Sequence, residues 1–347
     1  MINLNRLLCN IGLSLALLSA DCVSAADITG AGATFPYPVY VKWADAYKTE
    51  TGTGMNYQPI GSSNGIKQIQ ARTVNFAATD APLTENELVS AGLTQFPSVI
   101  GGVVPVVNIN GVEPGKLKLD GIILADIFLG KITKWSDPRI AEYNEGVALP
   151  NEAITVVHRY DGSGSTFIFT TYLSQVSTDW KHSVGVGKAV NWPTGTGARG
   201  SEGVASYIQR IPNSIGYVEY TYALQNKMTY TQLKNHDGQF VKPNYASFKA
   251  AAYARSDAKN GFYEIQTNES GKDSWPITGA TFILIFKSQE RPESATEALK
   301  FFDWAFTSGD KLASDLDYVP LPANLKAQIR DAWRTQIKDT SGNSIWK

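Results

Sequence analysis

The feature that most constrains the fold of this chain is a strand-to-helix junction that occurs three times. The clearest example is "VVHRYDGSGSTF" at 156–167, where an apolar strand is followed by Arg159, Asp161 and a run of Gly, Ser and Thr. Similar junctions occur within 27–52 and within 55–74. Apolar residues after each turn have helical spacing, so strands alternate with helices along the chain. This alternation predicts an α/β fold with largely parallel sheets.

Junctions of this kind suit an anionic ligand. A helix N-terminus carries unpaired N–H groups and a partial positive charge. Glycine lets a ligand approach the backbone, and Ser and Thr add hydroxyl donors. One such turn is weak evidence, but in open α/β sheets ligands gather outside the carboxyl ends of the strands. Three strand ends that are followed by glycine and by hydroxyl donors therefore predict one anion site.

Charge and motif content exclude several other classes of function. The chain has 31 Lys and Arg against 32 Asp and Glu, so it lacks the basic surplus that a nucleic-acid partner requires. In "GAGATF" Phe35 occupies the place of the third glycine of a dinucleotide fingerprint, and no glycine loop ends in Gly-Lys-Ser/Thr. The three histidines show no metal-ligand spacing. We expect neither a metal nor a cofactor.

The N-terminal segment has the pattern of a secretory signal. One positive charge in "MINLNR" precedes the apolar stretch "LLCNIGLSLALLSA", and the small residues "VSA" precede Ala26. We predict a cleavable signal peptide at 1–25 and export to a Gram-negative periplasm. Both cysteines, Cys9 and Cys22, fall within it, so the mature chain should contain no disulfide. Asp21 argues against lipidation of Cys22.

Two continuous apolar runs indicate the domain organisation. The runs at 99–109 and 280–287 are typical of buried strands and bracket about half of the chain. We interpret them as a pair of crossing hinge strands between two domains. Domain I then comprises 26–103 and 280–347, domain II comprises 104–279, and a ligand cleft lies between them. Within domain II, "SEGVASYIQRIPNSIGYVEYTYAL" predicts a capped helix, a turn and a strand.

Two aspartates each allow two interpretations. Asp80 in "NFAATDAPLT" follows an apolar stretch, so it is either a turn or N-cap residue or an acceptor that points into the site. Asp161 either caps the following helix or pairs with Arg159 and holds its guanidinium in place. The residue patterns alone leave both choices open.

Long motifs of this chain resemble a known family. The resemblance runs in order from about Asp27 to the C-terminus and includes "GAGATFPYPVY", "IGSSNGIKQI", "ATDAPLT", "IGGVVPVVNI", "RYDGSGSTF", "GYVEYTYA" and "TFILIFK". These motifs are similar to those of the periplasmic phosphate-binding proteins of high-affinity phosphate (Pst) ABC transporters. The resemblance implies a two-domain periplasmic-binding-protein fold of type II that closes around one phosphate. It also implies a non-catalytic monomer that delivers phosphate to inner-membrane permease subunits.

The resemblance also implies a set of ligand-binding residues. Asp161 corresponds to the salt-bridge partner of the single arginine, and Ser165 stands where the family pattern has threonine, which keeps the hydroxyl and loses the methyl group. His158 precedes the arginine on its strand, so its side chain should point to the opposite face. The residues implied to contact phosphate are Thr34, Phe35, Ser62, Asp80, Arg159, Ser163, Gly164 and Ser165.

Two rival functions remain. Sulfate is another tetrahedral oxyanion, but a dehydrated sulfate site has no use for a buried acceptor such as Asp80. A secreted phosphatase or esterase would use Ser163 as a nucleophile. That serine would need a base, and the sequence shows no nucleophile-elbow pattern around it.

Overall fold

The computed structural model describes residues 28–252 and 261–347. The expected signal peptide at 1–25, with Cys9 and Cys22, lies outside the described residues. Within these ranges, every helix is too short or too polar to traverse a bilayer.

Strands and helices alternate along the chain, as the junctions predict. The strands are β1 (Ile28–Gly32), β2 (Met55–Gln58), β3 (Phe76–Thr79), β4 (Leu93–Asn108), β5 (Lys118–Leu119), β6 (Thr155–Arg159), β7 (Thr196–Ala198), β8 (Ser214–Glu219), β9 (Thr229–Tyr230), β10 (Gln232–Lys234), β11 (Phe240–Val241), β12 (Thr278–Phe286), β13 (Ser288–Gln289) and β14 (Lys338–Asp339). The helices are α1 (Tyr37–Thr51), α2 (Ser62–Gln70), α3 (Glu85–Ala91), α4 (Gly121–Phe128), α5 (Pro138–Ala141), α6 (Gly164–Val176), α7 (Thr178–Ser183), α8 (Gly200–Arg210), α9 (Tyr220–Gln225), α10 (Tyr245–Ala252), α11 (Pro292–Ala305), α12 (Asp310–Ser314) and α13 (Ala323–Gln336).

Within the described residues, the main sheet has nine strands in the order β2-β1-β3-β12-β4-β8-β6-β7, with β9 beside β4. Strand β1 is parallel to β2 and β3, and β6 is parallel to β7 and β8. In the centre, β12 is antiparallel to β3 and β4, and β4 is antiparallel to β8. The prediction of parallel pairing is correct for the two flanks and wrong for the centre, because an apolar run does not encode the direction of its neighbours.

The long strand β4 changes partners halfway along its length. Its residues 93–102 pair with β12, and its residues 103–108 pair with β8. We call the strands β1, β2, β3 and β12, with residues 93–102, the first sheet half. The second sheet half contains β6, β7, β8 and β9, with residues 103–108. The apolar runs at 99–109 and 280–287 lie largely within β4 and β12, where both faces of the sheet are covered.

Helix α1 begins and ends where local sequence chemistry places it. Pro36 is its N-cap residue, Pro38 lies in its first turn, and Gly52 ends it in a left-handed conformation with φ 79°. Its predicted apolar face is buried and includes Val39, Tyr40, Trp43 and Tyr47.

Helix α8 differs from its prediction at the N-terminus. It begins at Gly200, and Arg199 at the N-cap position accepts no side-chain capping hydrogen bond. The prediction of a capped helix is therefore wrong. The hydroxyl of Ser201, the first hydroxyl side chain of the helix, has a different partner, described below.

Large aromatic side chains hold the two sheet halves in shape. Under the first half, Phe302 packs edge-on against Phe76 with ring centroids 5.0 Å apart. Under the second half, Phe169 stacks on Tyr217 at 4.3 Å. Each aromatic side chain removes a large apolar area from water, and such pairs add about 0.5–1.5 kcal/mol beyond that burial. These cores fix the positions of the strand ends that carry the site.

Candidate anion-binding site

The structure brings all the predicted site residues together at the carboxyl ends of the parallel strands. The first sheet half contributes the residues that follow β1, β2 and β3, and the second contributes the end of β6 and the start of α6. Every residue of the set is buried, and those other than Gly164 are at most 6% exposed. In chain order the set is Thr34, Phe35, Ser62, Asp80, Arg159, Ser163, Gly164 and Ser165.

The guanidinium of Arg159 is held by a two-pronged ion pair. Its Nε donates to Asp161 Oδ1 at 2.6 Å, and its Nη2 donates to Asp161 Oδ2 at 2.5 Å. Its third nitrogen, Nη1, donates to Thr34 Oγ1 at 3.2 Å. Burial alone would raise the pKa of Asp161, but the hydrogen bonds and charge of Arg159 outweigh it and lower that pKa below its usual value. Asp161 therefore stays ionised and fixes the guanidinium.

Of the two interpretations of Asp161, the structure supports the ion pair. The N-cap of α6 is Ser163, whose Oγ accepts from the N–H of Thr166 at 3.1 Å. Asp161 does accept a backbone hydrogen bond, but from a different helix, because Gly200 N donates to its Oδ1 at 3.2 Å.

Asp80 is a buried carboxylate with one free oxygen. Its Oδ1 accepts from Thr281 Oγ1 at 2.7 Å, whereas Oδ2 is buried and has no hydrogen-bond partner within the described part of the chain. Burial raises the pKa of Asp80 to about 7, although the Thr281 hydroxyl and the charge of Arg159 oppose this rise. No N–H in the described ranges donates to the carboxylate, so the N-cap interpretation fails. An unpartnered buried acceptor is costly and points to a donor that a ligand supplies.

Two backbone N–H groups leave the hydroxyl of Ser62 able only to donate. Its Oγ accepts from the N–H of Gly164 at 3.0 Å and from the N–H of Asp80 at 3.4 Å. A hydroxyl has one hydrogen and two lone pairs. Since both lone pairs are used by backbone donors, the hydrogen is directed elsewhere. Ser163 likewise accepts at its Oγ, and the buried Oγ of Ser165 has no partner among the described residues.

Backbone donors are available at the end of β1. Within the described ranges, neither Thr34 nor Phe35 directs its N–H to a protein acceptor. The carbonyl of Phe35 accepts from the hydroxyl of Tyr318 at 2.6 Å, which fixes the backbone at this position. The two N–H groups therefore lie at the end of a parallel strand, where α1 begins.

The two sheet halves approach so closely here that Gly164 cannot carry a side chain. A Cβ at this position would lie 2.6 Å from both the backbone N and the Oδ2 of Asp80. Nearby, Ser63 N donates to the carbonyl of Gly162 at 3.0 Å. The start of α6 therefore lies directly against Asp80, and the free Oδ2 faces it.

Ser163 lacks the surroundings of a nucleophile. An activated serine needs a base within hydrogen-bond reach. Among the described residues, no His, Asp or Glu side chain forms a hydrogen bond with Ser163 Oγ. His158 instead stacks on Trp192, with ring centroids 4.6 Å apart. The described residues also contain no group of three or more His, Cys, Asp or Glu placed to hold a metal ion.

Sequence reasoning missed two residues of the site's surroundings. Thr281 is one of two threonines in the largely apolar strand β12, and its burial next to Asp80 follows from the antiparallel pairing of β12 with β3. Ser201 Oγ lies 2.8 Å from Thr34 Oγ1. The signal for Ser201 was present, because "TGARGSEGVA" is a fourth strand-to-helix junction with a Gly-Ser turn.

Comparison with known proteins agrees with this fold. A family model for a PBP superfamily domain matches residues 20–308. The phosphate-binding protein PstS of Pasteurella multocida (strain Pm70) is 53% identical over 324 residues, covering 93% of this chain and 94% of that protein. The phosphate-binding protein PstS of Haemophilus influenzae (strain ATCC 51907 / DSM 11121 / KW20 / Rd) is 53% identical over 325 residues, covering 93% of this chain and 97% of that protein.

Solved structures give the same result for the fold. A high-affinity periplasmic phosphate-binding protein determined with bound phosphate aligns with a TM-score of 0.72 at 21% identity, covering 92% of this chain and 95% of that one. The predicted fold class is confirmed: the chain is an α/β protein with the two-domain periplasmic-binding-protein fold of type II.

Proposed function

This chain belongs to the PstS family of phosphate-binding proteins within the PBP superfamily, and we propose that it binds inorganic phosphate in the periplasm and delivers it to an ABC-type permease. Its relatives are named as binding proteins, and its function is binding rather than catalysis. The observation that carries the proposal is Asp80 Oδ2, a buried acceptor that has no hydrogen-bond partner in the described part of the chain and lies beside groups that donate.

A site with one acceptor among many donors suits an oxyanion that carries a proton. The guanidinium of Arg159, the hydroxyls and the N-termini of the helices all donate, and they suit the unprotonated oxygens of a tetrahedral anion. Near neutral pH phosphate still carries a proton, and Asp80 Oδ2 can accept it. Sulfate carries none, so the same oxygen would meet only lone pairs. Sites built to pair a ligand's O–H discriminate against analogues without it, because a buried polar group is then left unpaired.

We further propose that the two sheet halves close on phosphate as domains, with domain I at 26–103 and 280–347 and domain II at 104–279. In this proposal the Asp80 side of the site belongs to domain I and the Arg159 side to domain II. Neither side alone surrounds the anion, so binding should couple to a hinge motion about the strand β4. Small-angle scattering should show a smaller radius of gyration with phosphate than without it. An unchanged radius at saturation would count against hinge closure.

Calorimetric titration with phosphate and with sulfate tests the binding proposal. We expect saturable one-to-one binding of phosphate and much weaker binding of sulfate at pH 8. A parallel assay with a chromogenic phosphate ester tests the rival enzyme, and we expect no turnover. Measurable ester hydrolysis that Ser163→Ala removes would favour the hydrolase instead. Restoration of phosphate uptake in a bacterium that lacks its own phosphate-binding protein tests delivery to the permease.

A further inference from the structure

Helix α8 has a side chain that the proposed phosphate site does not account for. Ser201 is 1% exposed, and its hydroxyl does not cap its own helix. It lies 2.8 Å from Thr34 Oγ1, although the two residues are 167 positions apart. Thr34 follows β1 in the first sheet half, and Ser201 follows β7 in the second. The contact therefore joins the two halves directly at the site.

The hydrogen bonds of Thr34 show what this contact does. The Thr34 hydroxyl has one hydrogen and two lone pairs. Arginine has no acceptor, so the 3.2 Å contact from Arg159 Nη1 occupies one lone pair. If Ser201 donates into the other, the hydrogen of Thr34 has no role left except donation to a third group. If instead Thr34 donates to Ser201, that hydrogen is lost to the site.

The position of Ser201 favours the first arrangement. It is the second residue of α8, where unpaired N–H groups give the helix a partial positive charge. A hydroxyl there is stabilised when its oxygen faces the helix end and its hydrogen points away, toward Thr34. Gly200 adopts φ +68°, which turns the chain into the helix, and its N–H donates to Asp161 Oδ1 at 3.2 Å. The first two residues of α8 therefore hold both groups that contact the guanidinium of Arg159.

We propose that Ser201 is a positioning residue of the phosphate site: it donates to Thr34 Oγ1 across the two sheet halves and thereby commits the Thr34 hydroxyl to donate to the bound anion. This inference rests on the proposed phosphate-binding function. It adds the start of α8 to the three helix N-termini that the sequence analysis identified. Because the contact joins the two halves, it forms when the site closes and should slow release of the ligand.

A double-mutant cycle tests the proposal. Phosphate affinity is measured by calorimetry for the wild type, Ser201→Ala, Thr34→Val and the double variant, with Ser206→Ala on the same helix as the control. A neutral hydrogen bond predicts a loss of about 3- to 10-fold for Ser201→Ala. In the Thr34→Val background the same change should cost nothing, because the hydroxyl through which Ser201 acts is gone. Stopped-flow tryptophan fluorescence should show that the loss of affinity arises from faster dissociation of phosphate.

The outcomes separate this inference from the function on which it rests. Equal losses in both backgrounds, or no loss in the wild-type background, would overturn the role of Ser201 while phosphate binding itself stands. A wild-type protein that gives no saturable phosphate binding would remove the proposed function and this inference with it. A lower unfolding temperature without ligand, together with an equal loss in both backgrounds, would identify a purely structural serine.

Discussion

Replacing Asp80 by asparagine should remove the pH dependence with which this protein excludes sulfate. Asparagine keeps the volume and retains an oxygen for the hydrogen bond that Thr281 donates at 2.7 Å. Its amide nitrogen then takes the place of the free Oδ2 and presents a donor instead of an acceptor. The variant should therefore accept sulfate at any pH at which the protein is folded.

Two free-energy costs determine whether the wild-type protein binds sulfate with an ionised or a neutral Asp80. A unit negative charge about 3 Å from an ionised carboxylate costs roughly 5.5 kcal/mol at an effective dielectric constant of about 20. The alternative is to protonate Asp80, which costs about 1.4 kcal/mol for each pH unit above its pKa. Burial raises that pKa to about 7, so at pH 8 protonation is the smaller cost. Sulfate should therefore bind with a neutral Asp80, and its affinity should fall about tenfold per pH unit above pH 7.

The assay is competition of sulfate against labelled phosphate between pH 5.5 and 9 at fixed ionic strength. Direct phosphate titration at each pH supplies the reference affinity. The wild type should show sulfate affinity that is level below pH 7 and falls above it, whereas Asp80→Asn should show a level line. Phosphate should bind the variant about 10- to 150-fold more weakly, because a hydrogen bond to a charged acceptor is lost. Asp120→Asn, which alters a helix cap instead, is the control.

Two results would refute this reasoning. Sulfate affinity of the wild type that does not change between pH 7 and 9 would show that Asp80 takes up no proton on sulfate binding. The same slope in Asp80→Asn would assign the titration to another group. Either result would leave the selectivity against sulfate without its proposed cause.

Three further predictions concern other parts of the structure. Arg159→Lys should weaken phosphate binding roughly tenfold or more by calorimetry, because an ammonium cannot present two parallel donors as a guanidinium does. Arg139→Lys is the control, since Arg139 forms an exposed two-pronged ion pair with Asp137, and it should not change phosphate affinity. Gly164→Ala should abolish tight binding and lower the unfolding temperature, because its Cβ would lie 2.6 Å from the backbone N of Asp80. Burial raises the pKa of Glu219 to about 8, so the folded state binds its proton more tightly than the unfolded state. Its stabilisation is present below about pH 4.5 and is lost as pH rises through about 8; Glu219→Gln should therefore show a smaller fall of unfolding temperature between pH 5 and 8.5.

Local chemistry explains what the sequence could predict. The turns at Gly61 and Gly162, the serines beside them and the apolar spacing behind them are short-range signals, and the helices α2 and α6 begin where those signals lie. The carboxyl ends of parallel strands meet at one edge of a sheet. The junctions after β1 and β2 therefore come together. The strand β6 runs in the opposite direction, and its end faces theirs because β4 continues from the first sheet half into the second.

Long-range pairing explains what the sequence could not predict. The apolar strand β12 gives no sign of whether it runs with or against β3, yet the antiparallel direction is what places Thr281 beside Asp80. Ser201 likewise reaches Thr34 only because the carboxyl end of β7 faces that of β1 across the two sheet halves. Both residues act across 167 positions or more, beyond any local pattern.

The direction of each hydrogen, rather than the list of residue types, accounts for the selectivity proposed for this site. Serine and threonine can donate or accept, so a set of hydroxyls alone would suit either phosphate or sulfate. Here backbone N–H groups fill the lone pairs of Ser62, which commits that hydroxyl to donate. Among the described residues of the site, one carboxylate oxygen remains free, because Thr281 binds Oδ1 of Asp80 and leaves Oδ2 unpaired. The neutral hydroxyl of Thr281 thus determines which oxygen of Asp80 can accept a hydrogen bond from the ligand.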